Sequence, residues 1–128
     1  MQPFLHQTGF YTIRTCTGDR QQLRATIRFN RDHTIYAGHF PDRPITPGVC
    51  LYQLVKEIGM LGWQLPLRLL RAGSMKFLRL VPPTDPDIIV SLRADWTDET
   101  TVSVAATVQS GEHVAGKFQV VFSTLSYS

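Results

Sequence analysis

One helix with an apolar surface constrains the fold of this 128-residue chain more than any other sequence feature. Thr46 is typical of a helix N-cap and Pro47 of the first helical position, and helical spacing continues to about Gly62. The apolar positions cover an arc of roughly 140° and are Cys50, Leu51, Leu54, Val55, Ile58 and Leu61. Tyr52, Lys56 and Gly59 are expected on the opposite side. So much apolar surface on one helix has to be covered by the rest of the chain.

Four other stretches alternate apolar and polar residues, which is the pattern of strands with one buried face. They span residues 23–29, 90–96, 102–108 and 114–122. Short polar turns join the last three, so these are predicted to form antiparallel hairpins. Residues 10–15 and 74–81 are shorter strand candidates, and residues 63–71 are expected to form an irregular crossing segment.

The order of these elements predicts the fold class. Two strands, a long loop, one helix and about four antiparallel strands indicate an α+β protein whose sheet wraps around the helix. That is the hotdog architecture, and the length favours a single domain over residues 1–128. Such a sheet leaves an open edge and an apolar rim, so we expect a homodimer, with higher oligomers also open.

Charge and composition exclude several classes of protein. Thirteen Lys and Arg against ten Asp and Glu give a net charge of only +3, which argues against nucleic acid as a partner. No apolar run reaches the roughly 20 residues of a membrane span, and residues 1–12 do not resemble a secretory signal, so we expect a cytoplasmic protein away from membranes. Cys16 and Cys50 are expected to be reduced. No cluster has metal-ligand spacing, so no metal is predicted, and no cofactor is expected.

The loop before the helix, residues 38–49, is the strongest candidate for an active site. Pro41, Pro44 and Pro47 stiffen its backbone. The N–H groups at the helix start can hold an oxyanion or a polarised carbonyl. His39 stands at the other end of the loop, where a histidine that only caps neighbouring backbone is the alternative.

This loop also carries a family resemblance. Its sequence, GHFPDRPITPGV, resembles the signature G-H-F-P-x-x-P-[IVL]-[MT]-P-G-V of the 3-hydroxyacyl-acyl-carrier-protein dehydratases of fatty-acid synthesis. Residues 75–85 look like the K-F-x-x-x-V-x-P-x-D segment of that family, and the resemblance covers about residues 10–124. It implies a homodimer of hotdogs with active sites at the dimer interface, where water is eliminated from a 3-hydroxyacyl thioester.

The resemblance also implies roles for individual residues. His39 matches the histidine that takes the C2 proton, and Gly48 matches the glycine whose N–H holds the thioester carbonyl. Their neighbours Phe40, Pro47 and Val49 are expected to contact the substrate. The thioester is carried on an acyl carrier protein or on coenzyme A.

One position departs from the family pattern. Gln53 stands fourteen residues after His39, where the family has an acid contributed by the other subunit. An amide cannot supply a proton near neutrality, so Gln53 can only hydrogen-bond the departing hydroxyl or a water. Glu57 follows one turn later at the border of the apolar arc. Partial desolvation there would raise the pKa of a carboxyl group and let it act as a general acid. Our hypothesis is that Glu57 replaces the missing acid, and the alternative is that both residues form a solvated helix edge.

Three functions therefore stay open from the sequence. The first is a divergent 3-hydroxyacyl-thioester dehydratase. The second is a hotdog thioesterase in which Glu57 activates water, and the third is a non-catalytic acyl-binding or assembly subunit. A basic run forms either a docking face for an acidic carrier protein or a solvated strand face, and its members are Arg68, Arg71, Lys76 and Arg79.

Overall fold

A six-stranded antiparallel sheet surrounds one long helix in the computed structural model, which describes residues 3–38 and 42–125. The strands are β1 (Tyr11–Gly18), β2 (Gln22–Phe29), β3 (Arg68–Phe77), β4 (Ile88–Trp96), β5 (Thr101–Ser110) and β6 (His113–Ser123), in the sheet order β1-β2-β4-β5-β6-β3. The helices are α1 (Phe4–Gln7), α2 (Thr34–Ala37) and α3 (Gly48–Trp63). Helix α3 packs against β1, β2, β4 and β5. The predicted α+β fold is confirmed.

The alternating strands bury the faces that their patterns predict. Every second residue of β2 and β5 is buried, from Leu23 to Phe29 and from Val102 to Val108. These side chains meet the apolar side of α3, where Leu54, Val55 and Ile58 have no exposed surface. The predicted hairpins β4–β5 and β5–β6 are both present.

The start of α3 differs by one residue from the prediction. Pro47 is the N-cap, without a side-chain cap, and Gly48 is the first helical residue. The Thr46 hydroxyl does not cap the helix, because it lies 2.9 Å from the Tyr36 hydroxyl. The Thr46 N–H donates to the carbonyl of Val81 at 2.8 Å. Thr46 thus fixes the loop to two other segments instead of capping α3.

The far side of α3 is less exposed than its sequence suggests. Gly59 was expected to face outward, yet it is buried. Leu67 and Trp63 pack so closely on it that a Cβ atom there would lie 2.8 Å from Leu67 Cδ1. Met60 is buried, whereas Leu61 is only half-buried. The chain that leaves the helix after Gln64, which has a left-handed φ of 56°, folds back over this side.

The segment after α3 is a strand where we expected an irregular crossing and a later start. Strand β3 pairs with β6 from Arg68, opposite Ser123, to Phe77, opposite Gly116, with two register shifts. It lies at the edge of the sheet, and neither of its faces is fully buried. An edge strand of this kind lacks the apolar alternation by which the other strands were predicted.

Candidate active site

The predicted site residues fall on α3 and on the loop before it. Gly48, Gln53 and Glu57 lie on α3, preceded by Pro47. His39 and Phe40 lie outside the described residues. The structure therefore locates the part of the predicted site that the helix carries, and it brings Gln53 and Glu57 into direct contact.

The first turn of α3 faces an aromatic ring. A Cβ atom at Gly48 would stand 3.0 Å from Cδ1 of Phe77 and 3.1 Å from its Cε1, so glycine permits this close approach. The Phe77 ring packs edge-on against Phe118, with ring centroids 5.8 Å apart. The first N–H groups of a helix have no partner within the helix and carry a partial positive charge. The Gly48 N–H is thus a donor set beside an apolar wall.

The outer side of this helix start is apolar and exposed. Val49 and Leu80 are 69% and 73% exposed, and Phe77 and Leu78 are each 51% exposed. We call these four residues the rim. Val49 lies at the start of α3, Phe77 ends the edge strand β3, and Leu78 and Leu80 follow that strand. Exposed large apolar side chains grouped in this way are typical of a surface that another protein or a ligand covers.

The Glu57 side chain is fully buried and accepts four hydrogen bonds. Its Oε2 accepts from the backbone N–H of Leu5 and from Nε2 of Gln53, both at 2.8 Å. Its Oε1 accepts from the backbone N–H of His6 at 2.9 Å and from the Tyr11 hydroxyl at 2.8 Å. Each oxygen therefore has two donors, an arrangement that suits a carboxylate.

Two neighbouring groups respond to this buried carboxylate. Burial first, and then the charge of Glu57 and the hydrogen bond to it, raise the pKa of the Tyr11 hydroxyl far above its ordinary value. Burial and, secondarily, the charge of Glu57 raise the pKa of the Cys50 thiol. Both groups keep their protons at neutral pH, so Tyr11 is available as a donor to Glu57.

The environment of Glu57 differs from both expectations. It does not lie on a partly desolvated border, and it does not form a solvated helix edge, because α1 and β1 cover it. Gln53 is half-buried. Sequence reasoning missed Leu5, His6 and Tyr11 as partners of Glu57. The available signal was a lone acid within an apolar helix, since a buried carboxylate requires donors from elsewhere in the chain.

An open cavity of about 730 Å³ lies on the outer face of the sheet, away from this cluster. All six strands contribute to its walls, and the charged residues among them are basic: Arg24, Lys76, Arg93 and Lys117. Lys76 belongs to the basic run found in the sequence. Of the other members of that run, Arg68 is half-buried, whereas Arg71 and Arg79 are exposed.

Within residues 3–38 and 42–125, His, Cys, Asp and Glu side chains form no group of three or more that could hold a metal ion. Over the same ranges no helix has the length and apolar character needed to cross a membrane. Both cysteines are free thiols, Cys16 exposed and Cys50 buried.

Comparison with known proteins gives one family match. The family model described as ApeI-like, ApeI dehydratase, matches residues 15–117. This range contains the loop 38–49 and the whole of α3. No curated protein sequence matches the chain significantly.

Several solved structures share the fold. The dehydratase heterocomplex ApeI:P from Xenorhabdus doucetiae superposes with a TM-score of 0.69 at 12% identity, covering 88% of this chain and 96% of that one. A hypothetical thioesterase with coenzyme A from Streptococcus pneumoniae TIGR4 superposes with a TM-score of 0.69 at 12% identity. The match covers 97% of this chain and 92% of that one. A conserved protein from Pseudomonas aeruginosa superposes with a TM-score of 0.69 at 16% identity. The match covers 98% of this chain and 95% of that one. At such identities the likeness concerns the fold alone, and it confirms the predicted hotdog fold.

Proposed function

This chain belongs to the ApeI-like dehydratase family, and on that premise we propose that it eliminates water from a 3-hydroxyacyl thioester to give a 2-enoyl thioester. One observation carries the proposal. The dehydratase family model covers both the GHFP loop and the helix on which Gly48 and Gln53 lie. Those are the elements that a thioester dehydratase needs for its base, its carbonyl donor and its contact with the hydroxyl.

The proposed reaction uses His39 and Gly48 first. The imidazole of His39 takes the C2 proton, and negative charge moves onto the thioester oxygen. The Gly48 N–H donates to that oxygen, and a preorganised donor of this kind is typically worth about 3 kcal/mol. Phe40, Pro47 and Val49 are proposed to line the acyl thioester beside these groups.

The second half of the reaction removes the hydroxyl. The C3–O bond breaks as the C2=C3 double bond forms, and the leaving oxygen takes a proton to become water. Gln53 holds the hydroxyl by hydrogen bonds but cannot supply that proton. We therefore assign the proton to the His39 imidazolium, which returns to imidazole. Glu57 as the acid is the rival assignment, and the four donors around its carboxylate favour Gln53 and His39 instead.

The proposed assembly is a homodimer, alone or within a larger oligomer. The rim and the open edge of β3 support it, because both leave groups that a second copy would cover. In the related arrangement that the sequence resembles, the helix residue that meets the hydroxyl comes from the other subunit. Gln53 of one subunit would then serve the His39 of its mate.

The proposed substrate is carried on an acyl carrier protein or on coenzyme A, in fatty-acid-type biosynthesis in the cytoplasm. The exposed cations Arg71, Lys76 and Arg79 on and after β3 support a carrier protein, because such carriers are acidic. Reversal of Arg71 and Lys76 to Glu should weaken binding of an acyl carrier protein at low salt. Unchanged affinity would remove this docking face from the proposal.

The test is mass spectrometry of a 3-hydroxyacyl thioester incubated with the protein, offered once on a carrier protein and once on coenzyme A. Loss of one water that requires His39, with no loss in the His39→Ala variant, is the expected result. Recovery of the intact thioester bound to the protein would instead support the acyl-binding subunit and overturn dehydration.

The second candidate is a thioesterase, favoured by the fold shared with the hypothetical thioesterase with coenzyme A. Hydrolysis requires a carboxylate or another base to activate water, and Glu57 is the carboxylate on α3. In the same experiment this activity would release the free 3-hydroxy acid. Free acid without enoyl product would establish the second candidate in place of the first.

A further inference from the structure

The Glu57 carboxylate joins two parts of the chain that the proposed reaction does not itself connect. On one side it receives the backbone N–H groups of Leu5 and His6, at the start of α1. On the other side it receives Nε2 of Gln53, one turn earlier on α3. The N-terminal segment and the residue proposed to meet the substrate hydroxyl are thus held by one buried group.

This contact fixes which way the Gln53 amide faces. A carboxylate oxygen can only accept, so the amide nitrogen must be the atom 2.8 Å from Oε2. Turning the amide over would bring its carbonyl oxygen against the carboxylate, and two acceptors repel. The carbonyl oxygen and the second N–H of Gln53 are therefore left to meet other groups.

The carboxylate is itself well fixed. Three of its four donors lie outside α3, and two of these are backbone groups with no rotational freedom. The third is the hydroxyl of Tyr11, whose side chain is 1% exposed. Hydrogen bonds to an ionised acceptor are stronger than those between neutral groups. Glu57 thus offers Gln53 a rigid partner rather than another mobile side chain.

We propose that Glu57 is a positioning residue that sets the orientation of the Gln53 amide toward the substrate hydroxyl. The inference rests on the proposed dehydration. In this arrangement the Gln53 carbonyl oxygen accepts the hydroxyl hydrogen, and its second N–H donates to the hydroxyl oxygen. Without Glu57, the amide samples both flips and several rotamers, and only a fraction of substrate complexes are aligned.

The first test is the Glu57→Gln variant, with dehydration by the native protein measured beforehand. We expect kcat to fall about 10- to 100-fold with little change in KM, because misplacing one group lowers the aligned fraction more than binding. The shape of the pH–rate profile should stay the same. Loss of a limb of that profile would identify Glu57 as the acid and overturn the positioning role.

Tyr11→Phe is the matched control. It removes one donor to Oε1 and leaves the Gln53 contact on Oε2 in place. Its stability should therefore fall while kcat stays close to that of the native protein. An equal loss of kcat in both variants would mean that the effect is general loosening rather than positioning of Gln53.

A double-variant cycle separates action through Gln53 from independent action. In the Gln53→Ala background, Glu57→Gln should change kcat less than about 2-fold, because its target is already gone. Losses that multiply would overturn the proposal.

A measurement without substrate keeps the inference testable if Glu57→Gln does not fold or if the native protein shows no dehydration. In the native protein, the side-chain NMR signals of Gln53, assigned from their loss in Gln53→Ala, should show one N–H in slow exchange with solvent. Averaged, fast-exchanging amide protons would contradict the proposal. Slow exchange without dehydration would reject the proposed function and leave the positioning contact standing.

Discussion

The middle and the start of α3 are built in opposite ways. Around Glu57, the chain closes on itself, and a buried charge receives donors from α1, β1 and α3. At the start, Gly48 lies beside the rim, to which Val49 belongs and where apolar side chains are half or more exposed. In the first region, a buried polar group finds all its hydrogen-bond donors within one chain. In the second, the chain leaves an apolar surface uncovered.

This difference separates what stabilises the monomer from what assembles the site. A buried, fully bonded carboxylate is costly to disturb, because its donors lose their partner along with it. An exposed apolar surface contributes to stability only when something covers it. Loss of the Glu57 carboxylate should therefore lower the stability of the folded monomer, whereas changes at the rim should dissociate the dimer.

The largest expected effect is on folding. Glu57→Ala should lower the free energy of unfolding by at least about 3 kcal/mol, because it leaves the buried donors of Leu5 and Tyr11 without an acceptor. Urea denaturation followed by circular dichroism measures it. Lys56→Ala, at the half-buried neighbouring position, is the control and should change stability by no more than about 0.5 kcal/mol. A loss below about 1 kcal/mol for Glu57→Ala would show that the hydrogen bonds to Glu57 contribute little to the stability of the fold.

The next effect concerns assembly. Leu80→Lys places a charge on the rim and should raise the dimer dissociation constant about 10-fold or more with the monomer still folded. Sedimentation velocity over a range of concentrations measures it. Phe4→Lys is the control, since Phe4 is 63% exposed but lies on α1, which packs beside β1 at the other edge of the sheet. If the native protein is monomeric at every concentration, the rim is not a dimer interface.

The smallest effect is a pH dependence of stability that arises at Tyr11, beside Glu57. The folded state raises the pKa of Tyr11 above its ordinary value of 10.0, so the unfolded chain releases this proton first. The contribution of this proton to the free energy of unfolding is complete below about pH 10. It is lost as pH rises beyond that value, by at most about 1.4 kcal/mol per pH unit for one group. Urea midpoints between pH 8 and 11 should fall less steeply for Tyr11→Phe than for the native protein. Parallel slopes would show that Tyr11 does not carry the effect.

Most of the fold could be predicted because burial repeats along the chain. The alternation from Leu23 to Phe29 and the helical spacing of α3 record which side of each element faces the core. Only the end of strand β3 was found, as part of the candidate over residues 74–81. Its start was missed, because both faces of the strand are largely exposed and its main signature is backbone pairing with β6.

The candidate site divides along the same line. The loop signature can be read from the residues, and the resemblance that it carries shows Gln53 in place of an acid, with Glu57 one turn later. The donors to Glu57 could not, since Leu5 lies 52 positions away and carries no polar side chain to announce its N–H. A backbone donor leaves no trace in the sequence.

The sequence by itself determined the wrapped helix, the strand faces and the family-type loop, because each depends on local spacing or on residue identity. Only the tertiary structure decided that Glu57 is enclosed and bonded to Gln53 rather than lying on a wet helix edge. Helical spacing gives the direction in which a side chain leaves its helix. Which segment fills the space it enters depends on how distant parts of the chain pack, and here that segment is α1.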